Sequence, residues 1–467
     1  MGKLINLVWF RNDLRVDDNP ALFHSMANAS HGTVAVYMLC QQQWEIHSVG
    51  INQQALIIKA LKNLCQELEQ LNVPLLILDA KNFTQVPELM SSLCSSLSVK
   101  QLFFNIEYPV NERQRDKEVV DILSGQVDCI RSIGDSLVPP WKIVNGDGNG
   151  YKVFSAFARR VRVYLDQNPL VVLPVPKSKT KDNLQLVDDQ HLSIELPTIL
   201  PLVEVMPDIS EKNVLQQLNN FVEYDVRAYG ETRDIPSIAG TSNLSAAFAI
   251  GSVSVQRCFE LAQQHAKKDA TTWLNELIWR DFYRAVIWHY PDICRGQAFN
   301  KVDRAIRWAN SNPALEAWQQ GKTGIPIVDA AMKQLVTTGW MHNRLRMVVA
   351  SYLTKNLFMD WRLGETFFAK HLFDYDFASN NGGWQWCASV GTDAAPYFRV
   401  FNPASQQKRF DPEAKFIKCW LPKISHHSAK DIQRFETHPL ENYSAMQVDL
   451  KQTRRQAIEV FKIAKQS

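Results

Sequence analysis

The chain has 467 residues, 46% hydrophobic and 21% charged, with a formal net charge of +3. That length exceeds one ordinary core, so two domains are expected, and the composition is that of a globular, soluble protein. No stretch approaches a transmembrane run, and so small a charge does not by itself point to nucleic acid, although a basic face can hide in a total.

The opening MGKLINLVWFRNDLR has an apolar stretch that is short, followed at once by charge, and without a small-residue cleavage pattern. It predicts a first strand, Leu4–Phe10, and a cytoplasmic protein. Further strands are expected at Thr33–Leu39, Leu75–Leu78 and Gln101–Asn105, with a helix over Ile51–Leu71 carrying Leu56, Ala60, Leu64, Leu68 and Leu71 on one face. This alternation predicts a parallel α/β sheet. No G-x-G-x-x-G follows the first strand, so the dinucleotide fingerprint is missing, yet the C-terminal ends of such strands remain a ligand site. Residues 168–209 hold Pro169, Pro174, Pro176, Pro197, Pro201 and Pro207 around KSKTKDN, which reads as a linker lying over the surface. From about 211 helical patterns dominate. The eight cysteines are scattered without a C-x-x-C pair, which argues against zinc and against a disulfide framework. Only Trp9, Trp44 and Trp141 of the 13 Trp precede residue 270.

The late tryptophans mark the chemistry. In WLNELIWRDFYRAV (273–286) a helix places Trp273, Glu276, Trp279, Arg280 and Tyr283 on one face, and Leu274, Leu277, Ile278, Phe282 and Ala285 on the other. Such a face can stack on bases and hydrogen-bond their edges; taken alone, it reads first as an interfacial helix with Trp in the core and a Glu–Arg pair. TTGWMHNRLRM (337–347) sets Asn343, Arg344, Arg346 and Met347 beside Trp340 and His342. DYDFASNNGGWQWCASVGTDAAPYFRVFNP (374–403) reads as an Asn-Asn-Gly-Gly turn next to two Trp, a pattern of tight turns or close approach to a ligand.

These stretches, with GTSNLSAAFAIG (240–251), GKTGIPIVDAAMKQL (321–335), VWFRNDLRVDDNPAL (8–22) and FNPASQ (401–406), resemble the photolyase/cryptochrome family over nearly the whole chain. The resemblance is closest to bacterial class I cyclobutane pyrimidine dimer photolyases. It implies an α/β Rossmann-like antenna domain (1–131), a linker (132–209) and an all-α FAD-binding catalytic domain (210–467). It implies a carbon–carbon lyase that repairs damaged DNA with light, a flavoprotein active as FADH⁻. The expected setting is the cytoplasm, on the nucleoid when bound to lesions, as a monomer acting on single- or double-stranded DNA, with no membrane and no metal.

Carried over by position, the FAD contacts are Tyr229, Thr241, Ser242, Asn243, Leu244, Ser245 and Trp273, with Arg346, Asp374, Tyr375 and Asp376 around the ring and ribityl region. Asn380 faces flavin N5, and Arg346 favours the anionic flavin. Asn243 departs from the Arg or Lys usual there. Trp279 and Trp386 clasp a flipped-out dimer with Glu276, Asn343 and Met347, since a base must leave the duplex before such chemistry. Photolyases for the six-four photoproduct carry a His pair where Asn343 and Met347 stand, so the cyclobutane lesion is favoured. Arg233, Arg280, Tyr283, Arg344 and Gln406 join Glu276 and Asn343 as DNA contacts. Trp308, Trp361 and Trp384 match the family's electron relay. His47, Asn111, Glu112, Cys294 and Arg295 match a methenyltetrahydrofolate antenna site, with Arg295 in place of the usual Lys; a deazaflavin antenna is the alternative. The rival functions are a cryptochrome-type photosensor and a nucleic-acid-binding flavoprotein without photochemistry. The 60-odd residues after FNPASQ read as helical and basic rather than as a signalling tail.

Overall fold

The computed structural model describes residues 5–180, 183, 193–266, 269–310, 313–394 and 396–466. In chain order the elements are β1 (Ile5–Phe10), α1 (Pro20–Ala27), β2 (Thr33–Leu39), α2 (Gln41–Ile46), α3 (Ile51–Gln70), β3 (Leu75–Asp79), α4 (Val86–Ser96), β4 (Val99–Asn105), α5 (Val110–Leu123), β5 (Asp128–Ser132) and α6 (Phe154–Gln167). Helices follow: α7 (Glu211–Asn220), α8 (Tyr229–Thr232), α9 (Ser245–Ile250), α10 (Val255–Ala266), α11 (Thr271–His289), α12 (Pro313–Gln319) and α13 (Pro326–Thr338). The last are α14 (Asn343–Ser351), α15 (Trp361–His371), α16 (Phe377–Ala388), α17 (Pro403–Phe410), α18 (Lys415–Trp420), α19 (Ala429–Ile432) and α20 (Leu450–Ala464). They form two compact units. The first is Met1–Pro201, Met206–Arg227 and Ser242–Cys294; the second is Leu202–Val205, Ala228–Thr241 and Arg295–Ser467.

The first unit is built on a five-stranded sheet in the order β3-β2-β1-β4-β5, with every pairing parallel. Both β1 (INLVWF) and β2 (TVAVYML) are buried at every position. Strands covered on both faces need no polar alternation, which is why they read as continuous apolar runs. The expected strands are present, though Leu4 lies outside the described residues. The fifth strand, β5, escaped sequence reading because its segment DCIRS is a half-exposed edge. At the opposite edge, the Ile194 N–H donates to the Ile77 carbonyl at 2.8 Å and the Ile77 N–H donates to Ser193 Oγ at 3.0 Å. The proline-rich segment thus covers a strand edge that would otherwise offer unpaired backbone. Within KSKTKDN, Lys181 and Asp182 lie outside the described residues.

The segment 132–209 is not a linker throughout. Phe157, Ala158 and Val161 supply a buried face to α6, and Phe157 meets Phe282 of α11 with ring centroids 5.3 Å apart. Nor do the compact units follow the expected boundary at 210, since α7, α9, α10 and α11 belong to the unit that holds the sheet. The charged motif after β1 is structural. Arg15 donates to the carbonyls of Asp18 and Gly134, both at 2.8 Å, and of Gly251 at 3.1 Å, while Asp17 pairs with Arg257 at 2.7 Å. Backbone carbonyls satisfy a buried guanidinium that would be costly unpaired.

In the second unit Trp318, Trp361, Phe368 and Phe461 anchor one core. Helix α14 runs on into a π turn, Tyr352–Asn356, which turns Lys355 inward. Its Nζ donates to the Ala388 carbonyl at 3.0 Å and lies 3.5 Å over the Phe461 ring. Burial holds its ammonium well below the usual lysine range. The Asn-Asn-Gly-Gly sequence is not a turn. It lies inside α16, whose first turn is capped by Asp376 accepting the Ser379 N–H at 2.9 Å. Asn381 Nδ2 donates to Glu365 Oε1 at 2.7 Å, and Gln385 Nε2 donates to Asn381 Oδ1 at 2.8 Å. The cap and these side-chain bonds offset the poor helix propensity of two glycines.

Candidate functional site

The face predicted on α11 forms in the first unit. Leu277, Ile278, Phe282 and Ala285 are buried, and so is Trp273, whose ring sits 5.1 Å from Phe221. Trp279 is only half-buried. Phe154 lies parallel to it, with ring centroids 3.7 Å apart and an interplanar angle of 5°, and Phe282 meets it edge-on at 5.6 Å. Phe154 was not foreseen, because it opens a helix in what reads as linker and no spacing connects it to α11. Glu276 is one turn before Trp279, and Tyr283 packs at 5.8 Å from it. Arg280 is not a free cation: it pairs with the Asp135 carboxylate and donates to the Asp135 carbonyl at 2.6 Å, while Arg284 takes the other carboxylate oxygen at 2.7 Å. Asp281 accepts the N–H groups of Leu137 and Val138, and burial pushes its carboxyl up to about 7.

Of the expected flavin contacts, Ser242, Asn243, Leu244, Ser245 and Trp273 belong to the first unit, and Tyr229, Thr241, Arg346, Asp374, Tyr375, Asp376 and Asn380 to the second. The Ser242 carbonyl accepts from Gln217 Nε2 at 2.6 Å. Asn243 has φ 51, a left-handed conformation that asparagine tolerates better than most residues. This gives its departure from the family pattern a backbone rationale. In the second unit Arg346 Nη2 reaches both oxygens of buried Asp374, at 3.0 and 2.7 Å, and its Nε donates to the Met341 carbonyl at 2.8 Å. Its positive charge is therefore partly compensated.

Asn380 Nδ2 donates to the Glu365 carbonyl at 3.1 Å. That bond fixes the amide so that its oxygen is the group left to accept from a ligand. His342 caps α14 by accepting the Arg344 N–H at 3.1 Å, and burial lowers its imidazole to about 4, so it is neutral. Asn343 and Met347 follow one turn apart on α14. Arg344 pairs with Asp234 at 2.8 Å, donates to Met347 Sδ at 3.7 Å and lies 4.6 Å over Phe410. Trp386, on α16, meets Phe401 edge-on at 6.2 Å. Arg233 lies 3.9 Å from Asp234 and 5.4 Å over Tyr229. Gln406 Oε1 is shielded and makes no hydrogen bond.

Of the three tryptophans expected to form a relay, Trp308 is half-buried, while Trp361 and Trp384 are both buried, at 0% and 2% exposed. Trp384 stands 5.0 Å from Phe368 and 6.2 Å from Trp318, edge-on to both.

Among the antenna candidates, the first unit brings three together. Asn111 Nδ2 and Gln43 Nε2 each lie 2.9 Å from His47 Nε2, and His47 Nδ1 is 3.6 Å from Glu112. Burial lowers His47, which favours its neutral ring, and pushes Glu112 up to about 7. Gln43 was missed, although it sits one helical turn before His47. Cys294 is half-buried in the first unit, and Arg295 belongs to the second. Among the described residues no cluster of three His, Cys, Asp or Glu could hold a metal ion, no helix is long and apolar enough to cross a membrane, and all eight cysteines are free.

A parallel five-stranded α/β unit and a helical unit that holds Trp308, Trp361 and Trp384 are the frame in which the class of protein is read. The chain belongs to the DNA photolyase family: the family model for DNA photolyase matches residues 6–177, and that for the FAD binding domain of DNA photolyase matches residues 273–463. It is 41% identical to the deoxyribodipyrimidine photo-lyase of Escherichia coli strain K12, over 90% of this chain and 89% of that one. To the deoxyribodipyrimidine photo-lyase of Salmonella typhimurium it is 40% identical, over 91% of each chain. Its structure matches a bacterial class III photolyase from Agrobacterium tumefaciens with a TM-score of 0.85 and 27% identity, over 100% of this chain and 99% of that one.

Proposed function

We propose that this protein splits cyclobutane pyrimidine dimers in DNA, using light and FAD. The observation that carries this reading is the match of both family models together with 41% identity across most of a named deoxyribodipyrimidine photo-lyase. The residues present fit a reduced flavin. Asn380, with one Nδ2 hydrogen bonded to the Glu365 carbonyl, would offer its amide oxygen as the acceptor for a protonated N5. Arg346 contributes positive potential tempered by Asp374. Asp374, Tyr375 and Asp376 with Tyr229, Thr241, Ser242, Asn243, Leu244, Ser245 and Trp273 complete the set that would hold the cofactor. Held by these residues in its reduced form, FAD would supply the light-driven one-electron chemistry of dimer splitting, with no net redox change.

The chain's own residues bind, orient and exclude water. Trp279 and Trp386 stack on the extruded pyrimidines, while Glu276 hydrogen-bonds a pyrimidine carbonyl where negative charge develops. Asn343 and Met347 fill the place where a proton-donating His pair would serve a different lesion, and splitting a cyclobutane needs no such donor. Arg233, Arg280, Tyr283, Arg344 and Gln406 line the surrounding DNA contact. Arg280 and Arg344 do so from existing ion pairs, so a phosphate must compete with Asp135 and Asp234.

His47, Asn111 and Glu112, with Cys294 and Arg295, hold a methenyltetrahydrofolate antenna. On this reading residues 1–131 serve light collection, 132–209 connection and 210–467 catalysis, a division by role rather than by packing. The protein works as a monomer in the cytoplasm, on nucleoid DNA. The test is Glu276→Gln in FAD-loaded enzyme. Dimer binding should persist while dimers lost per absorbed photon fall. An unchanged yield removes Glu276 from the mechanism, and no light-driven loss in either protein would favour a photosensor.

A further inference from the structure

Trp308 and Trp361 share one hydrogen-bond acceptor. The Trp308 Nε1–H donates to Asp303 Oδ1 at 2.9 Å, and the Trp361 Nε1–H donates to the same oxygen at 3.2 Å. Two indole nitrogens bonded to one atom lie no more than about 6 Å apart. Asp303 is 8% exposed, and its Oδ2 takes the Arg362 guanidinium at 2.7 Å. Arg362 also bonds Asp360, the N-cap of α15, so the carboxylate is held rigidly at the helix end where Trp361 begins. Trp384, by contrast, stands among the rings of Phe368 and Trp318.

We propose that Asp303 is a positioning residue of the electron relay, a single buried carboxylate that stabilises positive charge on Trp361 and on Trp308 in turn. The inference rests on the assignment of Trp308, Trp361 and Trp384 as the relay and deepens it. An indole that loses an electron becomes a radical cation, and its N–H becomes a stronger donor. A hydrogen bond to an ionised acceptor is roughly twice as strong as a neutral one, and this acceptor is buried, where a low dielectric strengthens it. The charge is therefore more stable on either bonded indole than on Trp384, and it is drawn outward. Because one oxygen serves both indoles, the charge passes from Trp361 to Trp308 without a change of partner.

The balance is simple. One electron moves from Trp361 to oxidised Trp384, and one from Trp308 to oxidised Trp361. The electron that left Trp384 resides on bound, oxidised FAD, and no covalent bond forms or breaks. The positive charge ends on half-buried Trp308, whose Nε1 proton stays hydrogen-bonded to the Asp303 carboxylate.

Asp303→Asn tests this, because the amide keeps a carbonyl acceptor and loses the charge. In FAD-loaded protein, flavin content and thermal unfolding should stay close to those of the parent. The long-lived tryptophan radical seen by transient absorption should fall by about tenfold, the change that one pK unit of charge interaction represents. Asp303→Glu, which keeps the charge, should recover much of the signal. A parental radical yield in Asp303→Asn overturns the proposal, as does a Glu variant as poor as the Asn variant. Trp308→Phe is the control for the relay itself. If it leaves the long-lived radical intact, the relay assignment fails and the proposal with it.

Discussion

Gly364 offers the sharpest steric test of how the second unit holds Trp384. It lies on α15, three residues after Trp361. A Cβ built on it collides with Cη2 and Cζ3 of the Trp384 ring and comes within 2.7 Å of Leu353 Cδ2, whereas ordinary contact begins near 3.4 Å. The indole has no room to retreat, because it is 2% exposed and Phe368 and Trp318 close two of its other sides. In an unhindered helix, Gly→Ala gains about 1 kcal/mol; overpacking a tight core costs about 1–3 kcal/mol. Two ring atoms and a leucine methyl must all yield, so the upper part of that range applies, and Gly364→Ala should lose a net ~1–2 kcal/mol. For a chain of 467 residues that lowers Tm by roughly 1–2 °C. The assay pairs thermal unfolding of FAD-loaded protein with the rate of photoreduction of oxidised flavin. Both should fall, because the residue that moves is Trp384, a member of the proposed relay. A variant as stable as the parent that photoreduces at the parental rate would refute the close approach.

Phe154→Leu removes the parallel partner of Trp279, a stack worth about 0.5–1.5 kcal/mol. Kd for dimer-containing DNA should rise about 2–10-fold while affinity for undamaged DNA holds, as read by competition binding; equal affinities would make Phe154 mere packing. Trp308→Phe should block photoreduction of oxidised enzyme and spare repair by chemically reduced enzyme, and normal photoreduction would put the electron path elsewhere. Glu67 provides a pH test: burial, with Glu211 beside it, pushes its carboxyl from 4.5 up to about 8. A proton retained only in the fold stabilises fully below the unfolded value and is lost as pH rises through the folded one. Glu67→Gln should therefore gain Tm relative to the parent as pH rises from about 5 to 8 and level off above. A difference independent of pH would show Glu67 ionised throughout.

The parallel sheet was legible because β1 and β2, buried on both faces, must be apolar at every position. Edge strand β5 was not, since half-exposed residues leave no such pattern. The α11 face followed from helical spacing alone, which correctly put Leu277, Ile278 and Phe282 inside. Spacing within one helix could not find Phe154 or Asp303, whose roles depend on partners far away in sequence or on a shared acceptor atom. Asn-Asn-Gly-Gly misled because propensity favours a turn there, while the Asp376 cap and the Asn381 and Gln385 side-chain bonds impose a helix. The ion-pair partners of Arg280 and Arg344 could not be named from the sequence, because Asp135 and Asp234 lie more than a hundred residues away.

The account depends on an electron that is lent and returned. Reduced, FAD-loaded protein should be illuminated without oxygen in the presence of excess dimer-containing oligonucleotide, with dimer content and flavin absorbance followed together. Many dimers should disappear per enzyme in the light and none in the dark, with the flavin still reduced at the end. Intact dimers, or one flavin oxidised for each dimer lost, would contradict it.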